Sequence, residues 1–375
     1  MTKFAIVIPC YNRLDTLKVL LDSLMRAHYG DNVSLVFSID NSGSDAIFNF
    51  ATDFQWKYGE KIIIHHSENI GLKRNLLSCG DLTDRFDAVI VLEDDLLVSP
   101  SFFDYACAAY DYYKTNDQIA GISLFSYKES ENLHTFNPLT YGYDTYFVQW
   151  TSSWGQLWTK NQWDLFKKWY NYHSEDISSI PIPNFVKMWN NSWKKYHIAY
   201  LVETNRYFVY PIVSYTSVQP ALGVHIAEVR LDRDNIVPLC SGIRREFMFQ
   251  KLDNAIKYDC FFEIKSLMIN LKGEDIIADL NIYGDKNKEN IINEYFVSTK
   301  QIPNATSLRS WGIVSLPFED NIINSIEGED LFLYKSKDFV HIDLTPSEKV
   351  AYRIKLTIKE RFLYYIKRAF LLLKK

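Results

Sequence analysis

The chain contains no apolar run reaching the ~18–20 residues of a membrane-spanning helix, so a multi-pass membrane protein is excluded. Its five cysteines (Cys10, Cys79, Cys107, Cys240, Cys260) are odd in number and include no C-x-x-C pair. That pattern suits reduced thiols in a cytosolic protein and not a disulfide framework. A surplus of positive charge is also missing. With a net charge of -5 and a pI near 5.9, bulk nucleic-acid binding, which needs a basic face, is disfavoured. The opening apolar stretch, ending at Pro9, is too short for a signal peptide and reads as a first strand. The content of 47% hydrophobic and 23% charged residues excludes a mainly disordered, collagen-like or small disulfide-stapled chain. A length of 375 residues suggests two to three domains.

Aromatic residues are abundant: 25 Tyr, 24 Phe and 9 Trp. Flat rings suit a protein that stacks on sugar faces, although they equally fill a large core. Charge is uneven as well. From Ser347 onward there are nine Lys or Arg against two Glu, whereas the preceding residues carry 32 basic and 44 acidic side chains. An acidic body with a basic tail calls for a partner.

The first 125 residues alternate between strand and helix. Short β-rich runs at 4–8, 33–39, 61–65 and 88–92 start about 28 residues apart. Between them Leu14, Leu17, Leu21 and Leu24 share a helical face, and 72–77 opens another helix. Ser99 and Pro100 are expected to cap and start a helix over 100–115. This rhythm predicts an α/β fold, with a mostly parallel, Rossmann-like sheet, helices on both faces and ligands at the carboxyl ends of the strands. The nucleotide-binding half spans 1–125 and an acceptor half, rich in Trp and Tyr, 126–245. Strand signals at 276–283, 294–299, 313–316 and 330–334 suggest a small appended α/β domain over 246–345. In the tail, 346–375, Val350, Ile354, Ile358, Phe362, Ile366 and Phe370 recur every four residues beside Lys and Arg. That is the pattern of one amphipathic helix lying on an anionic membrane, or of a core-packed helix with a solvated basic face.

Four polar motifs follow the four predicted strands: Pro9-Cys10-Tyr11-Asn12-Arg13, Asp40-Asn41-Ser42-Gly43-Ser44-Asp45, Glu68-Asn69-Ile70-Gly71-Leu72-Lys73-Arg74-Asn75 and Glu93-Asp94-Asp95. An acidic strand end is common, but this order and spacing are specific. Together they resemble the GT-A nucleotide-sugar glycosyltransferases of family 2. The Glu-Asp-Asp triplet and the following Pro-x-Phe-Phe are similar to N-acetylglucosaminyltransferase I and its bacterial relatives. The resemblance covers about residues 4–230.

It implies the transfer of a hexose or N-acetylhexosamine from a nucleotide-diphosphate sugar, with a UDP-sugar favoured. The acceptor would be a glycan; the basic amphipathic tail fits one carried on a lipid, a lipid-linked glycan of bacterial surface-polysaccharide synthesis at the inner face of the plasma membrane. A hard cation, Mn²⁺ or Mg²⁺, would neutralise the departing diphosphate, with Asp95 as its ligand. Asp94 would hold the ribose or a metal-bound water, and Glu93 the nucleoside. Asp40 either accepts from the base or caps the next helix. Lys73 and Arg74 either reach the diphosphate or are surface charges. Pro9, Tyr11 and Asn12 would shape the wall around the base, Asn69 would join the donor site and Arg13 would do no more than cap; no Gly-rich phosphate loop is present in 9–13.

On the acceptor side, Trp150 and Trp154 in Gln149-Trp150-Thr151-Ser152-Ser153-Trp154-Gly155 are candidates for sugar stacking, with Trp154 placed beside the donor sugar. An inverting transfer needs a general base. Where the relatives carry an acid after a Trp, this chain has Asn190 and Asn191, which cannot take a proton at neutral pH. Glu175 and Asp176 are the nearest upstream acids. His225 either completes the metal or diphosphate site or is structural. Two rival readings are a non-catalytic glycan-binding protein on a degenerate transferase scaffold and a sugar-nucleotide pyrophosphorylase.

Overall fold

The computed structural model describes residues 2–131, 134–173, 176–220, 235–352, 354 and 356–373. The chain forms two compact units, one of residues 1–126 with 140–255, the other of 127–139 with 256–375. Segment 127–139, expected in the acceptor half, therefore belongs to the second unit.

In the first unit the strands are β1 (Phe4–Cys10), β2 (Val33–Ile39), β3 (Lys61–His65), β4 (Ala88–Val91), β5 (Leu96–Val98), β6 (Ile119–Ser123), β7 (Thr145–Val148), β8 (Gln156–Thr159), β9 (Tyr207–Pro211) and β10 (Thr216–Val218). The helices are α1 (Leu14–Met25), α2 (Ala46–Asp53), α3 (Gly71–Asp81), α4 (Phe102–Tyr113), α5 (Lys160–His173), α6 (Asn184–Lys187) and α7 (Lys194–Glu203). The main sheet of this unit runs β7-β9-β6-β8-β4-β1-β2-β3. Strands β1 to β4 pair in parallel, as do β6 and β9, whereas β8 runs against both β4 and β6. Strand β1 is buried along its whole length, as a strand covered on both faces must be. The apolar stripe of α1, Leu17, Leu20, Leu21 and Leu24, is fully buried.

Register sets the site. Cys10 pairs with Ile39, Ile39 with His65, and Val7 with Val91. The four polar motifs therefore leave the sheet along one edge, at the carboxyl ends of the parallel strands. One local expectation fails. Ser101, and not Ser99, precedes α4, because the Ser99 hydroxyl donates to the Cys240 carbonyl at 2.6 Å.

The second unit carries a five-stranded sheet in the order Leu267–Leu271, Glu274–Asn281, Tyr295–Ser298, Leu331–Lys335, Arg309–Trp311. The strand expected at 313–316 lies earlier, at Arg309–Trp311, where it pairs antiparallel with Leu331–Leu333. The tail is not one helix. Thr345 caps Pro346–Ala351 through a capping box with Glu348. A second helix, Ile358–Leu373, starts after a break. Among the described residues no helix is long and apolar enough to cross a membrane.

Candidate functional site

Strand β4 is buried and ends in a tight turn, in which the Leu96 N–H donates to the Glu93 carbonyl at 3.1 Å. The turn holds Glu93, Asp94 and Asp95 at the sheet edge. It is fixed from behind by β5, which pairs with β10, and by the Gln219 N–H, which donates to the Asp95 carbonyl at 2.8 Å. Gly155 belongs to this frame. It has φ of +96°, and a Cβ there would lie 2.8 Å from the Thr216 methyl carbon and 3.3 Å from Leu92, so glycine alone fits without strain.

Arg13, at the end of β1, spans two of the acids. Its Nη1 donates to Asp95 Oδ2 at 2.5 Å and its Nη2 to Asp94 Oδ1. The Arg13 backbone is anchored separately, because its carbonyl accepts from Leu17 N–H and the Thr16 hydroxyl, each at 3.1 Å. This clamp joins residues about eighty positions apart, and the strand-end reading of the sequence left Arg13 as no more than a cap. Asp94 and Asp95 are both buried, while Glu93 is half-buried. Burial, reinforced by the Asp95 charge and offset by Arg13, pushes the Glu93 carboxyl up to about 8. Burial also raises Asp94 to about 6, against the pull of Arg13.

Asp95 Oδ1 is buried and has no hydrogen-bond partner among the described residues. Such an orphaned carboxylate oxygen is costly unless something binds it. A hard divalent cation that takes one protein carboxylate and completes its shell with water and phosphate oxygens suits this donor. Among the described residues no three His, Cys, Asp or Glu side chains come together to hold a metal ion, so among them Asp95 offers a single-carboxylate foothold. His225, the second expected ligand, lies outside the described residues.

The other donor-side residues have definite surroundings. Both Asp40 carboxylate oxygens are engaged at the start of α3: Oδ1 accepts from Asn41 N–H at 2.9 Å and Ile70 N–H at 2.8 Å, and Oδ2 from Gly71 N–H at 2.9 Å. The structure thus uses Asp40 as a helix cap. Asn69 donates to the Tyr11 hydroxyl at 3.2 Å. Both side chains are exposed, as is Asn12, and Pro9 is buried in β1. Lys73 points to two rings, 4.4 Å from the centre of Tyr196 and 5.5 Å from that of Tyr170, while Arg74 is exposed.

The Trp loop forms a cage. Lys194, buried at the start of α7, puts its ammonium 5.3–5.6 Å from the rings of Trp150, Trp154 and Trp189, a desolvated cation–π arrangement. Its charge acts on Glu93. Trp150 is fully buried and offers no face to a sugar; Trp154 is partly buried, against Phe125. Nothing in the spacing of the aromatic residues singled out Lys194; only the fold brings three indoles around it.

Of the acceptor-side candidates, Asp176 and Asn191 lie within the described residues. Asp176 is exposed and accepts from Ser178 N–H at 2.7 Å, which lowers its pKa from the ordinary value. Asn191 is exposed, with φ of +52° in the loop before α7. Glu175 lies outside the described residues. Among the described residues, no hydrogen bond or ion pair ties Asp176 or Asn191 to the acidic turn.

Residues 5–159 match the family model described as glycosyl transferase family 2. That span, under half of the chain, contains all four strand-end motifs and the Trp loop. The glycosyltransferase expectation is met by this match, and the GT-A expectation by the α/β sheet it covers. No curated protein matches. Solved structures similar to the chain include Staphylococcus aureus TarS 1–349 in complex with UDP-GlcNAc. It is 14% identical, with a TM-score of 0.39, over 60% of this chain and 60% of that one. Another is GalNAc-T7 with UDP, GalNAc and Mn²⁺, 10% identical, with a TM-score of 0.42, over 59% and 44%. A third is the mannosyltransferase PcManGT from Pyrobaculum calidifontis in complex with GDP-Man and Mn²⁺. It is 12% identical, with a TM-score of 0.30, over 44% and 46%. The chain thus spans less than two thirds of each of these.

Proposed function

We propose that the protein is a metal-dependent glycosyltransferase. It would move a hexose or N-acetylhexosamine from a nucleotide-diphosphate sugar, a UDP-sugar in the first instance, to a glycan or lipid-linked glycan of a surface polysaccharide. The observation that carries this reading is the acidic turn after β4, where Asp95 keeps one buried carboxylate oxygen without a partner beside the Arg13 guanidinium. The match of residues 5–159 to the glycosyl transferase family 2 model supports it.

In this reading Asp95 holds a Mn²⁺ or Mg²⁺ ion, which when bound supplies positive charge against the negative charge growing on the leaving diphosphate. Asp94 keeps Arg13 aligned over the turn. Tyr11 and Asn69, joined by their hydrogen bond, border the base, while Trp154 and the Lys194 cage close the side toward the sugar. Inversion at the anomeric carbon requires a base on the acceptor side. Asp176 is held in its charged form by Ser178 and is a weak base as it stands, so the acceptor itself would have to draw it in.

The tail fits a lipid-borne acceptor. Ile358, Phe362, Tyr365 and Ile366 are exposed on the last helix among Lys359, Arg361, Lys367 and Arg368. An apolar face flanked by cations suits the interface of an anionic bilayer, which would place the protein at the inner face of the plasma membrane. The enzymatic reading is tested by release of nucleoside diphosphate from UDP-GlcNAc, UDP-Glc, UDP-Gal and GDP-Man, with Mn²⁺ and with EDTA. Metal-dependent turnover of one donor supports it. No turnover of any donor, with glycan binding intact, would favour the non-catalytic glycan-binding reading, to which Asn190 and Asn191 lend some support.

A further inference from the structure

We propose that Arg13 is a charge gate on the cation site, so that the metal enters only together with the diphosphate. The proposal rests on the reading of Asp95 as the metal's foothold and adds an order of events to it.

The argument begins with occupancy. Of the four carboxylate oxygens of Asp94 and Asp95, two are taken by one guanidinium, which donates a separate N–H to each acid. A divalent cation approaching Asp95 Oδ1 would share that carboxylate with a fixed positive charge a few ångström away. At such range like charges repel strongly in a site shielded from water, and the Asp95 side chain is only 11% exposed. The bare ion therefore meets two carboxylates whose joint charge one guanidinium has already offset in part. To bind well it must dislodge Arg13, and in the absence of another anion the guanidinium has nowhere comparable to go.

A diphosphate changes this balance. Guanidinium pairs with phosphate oxygens in the same two-pronged manner as with carboxylates. A nucleoside diphosphate arriving with its metal gives Arg13 a new anionic partner at the moment the metal takes Asp95. The geometry allows the exchange without moving the backbone. The Arg13 carbonyl is held by the first turn of α1, whereas its side chain is 29% exposed and anchored only through its tip. Arg13 is a positioning residue in this account, acting on the metal through Asp95.

The test is Mn²⁺ binding to the full chain, read by electron paramagnetic resonance of the free ion, without nucleotide and with UDP, the Mn²⁺–UDP complex being measured separately. Wild type, Arg13→Gln and Arg13→Lys are compared. Wild type is expected to bind Mn²⁺ at least tenfold more tightly with UDP than without. Arg13→Gln should bind the bare ion at least tenfold more tightly than wild type, so that the advantage given by the nucleotide shrinks. Arg13→Lys keeps one charge but cannot span both acids, and should fall between. A purely structural Arg13 would leave bare-ion affinity unchanged or lower on substitution. If Arg13→Gln binds the bare ion no better than wild type while UDP-dependent binding persists, the gate is wrong and the metal reading stands. If wild type takes up Mn²⁺ in neither condition, the metal reading fails and the gate with it. Should Arg13→Gln not fold, wild type alone still decides: equal affinity with and without UDP overturns the gate.

Discussion

Deprotonating Glu93 should destabilise the protein in a pH window that few other groups share. Its carboxyl is raised from the ordinary 4.5 to about 8 by burial and by Asp95. The native state therefore holds a proton that the unfolded chain releases above pH 4.5. The sign follows from linkage: where the native state binds more protons, stability falls as pH rises. Each pH unit of that interval is worth about 1.4 kcal/mol, and the whole span would be worth about 5 kcal/mol. Other groups overlap the window in part, Glu319 at about 7 most of all, while Asp94 at about 6 and the buried His197, depressed to about 3 and so acting through its unfolded value near 6.5, titrate lower; comparison with Glu93→Gln isolates Glu93. Between pH 7 and 8 the remaining loss assigned to Glu93 is thus about 1 kcal/mol. Urea unfolding at pH 7.0, 7.5 and 8.0, for wild type and Glu93→Gln, reads it directly. Wild type should lose about 1 kcal/mol across the window and Glu93→Gln little. Parallel slopes, or a wild type that gains stability, would refute the assignment of a raised pKa to this carboxyl.

Three further outcomes follow from single contacts. Asp40→Asn leaves one acceptor for the N–H groups of Ile70 and Gly71 and should cost about 1–2 kcal/mol in urea unfolding; a change below about 0.5 kcal/mol would contradict the capping role. In the second unit, Lys286 is buried with its ammonium 2.5 Å from Asp259 and 2.9 Å from Glu263. Lys286→Met strands two carboxylates and should cost about 3–5 kcal/mol by chemical unfolding, whereas a neutral effect would mean the cluster relaxes to water. Replacing Phe362 and Ile366 together by Asp should abolish sedimentation with phosphatidylglycerol vesicles while leaving the melting temperature within about 2 °C, since both side chains are exposed. Unchanged sedimentation would remove the membrane role of the tail.

Much of the first unit was legible in the sequence because most of its strands are buried and so appear as continuous apolar runs, each stopped by a polar motif. Strands 33–39 and 61–65 fall where the runs put them, and the four motifs share one edge because parallel pairing keeps their ends level. What escaped reading depends on distant contacts. Arg13 meets Asp94 and Asp95 across 81 and 82 positions, and the Lys194 cage draws on three Trp residues from two loops. Segment 127–139 looks like part of the acceptor half until its partners in the second unit are seen. In the tail the four-residue apolar repeat runs through 352–357, but the chain breaks there and Ile354 bridges to His134. Periodicity alone cannot register a break that a tertiary contact imposes.

The central claim is that Asp95 anchors a nucleoside diphosphate through a divalent ion at the end of β4. Isothermal calorimetry of UDP, GDP, dTDP and CMP on wild type and Asp95→Ala, with and without Mn²⁺, tests it most directly. The account predicts that one nucleoside diphosphate binds wild type in the presence of Mn²⁺, weakly or not at all without it, and that Asp95→Ala loses the metal-dependent part while remaining folded. Binding that is indifferent to both Mn²⁺ and Asp95, or no binding of any nucleotide, would contradict it.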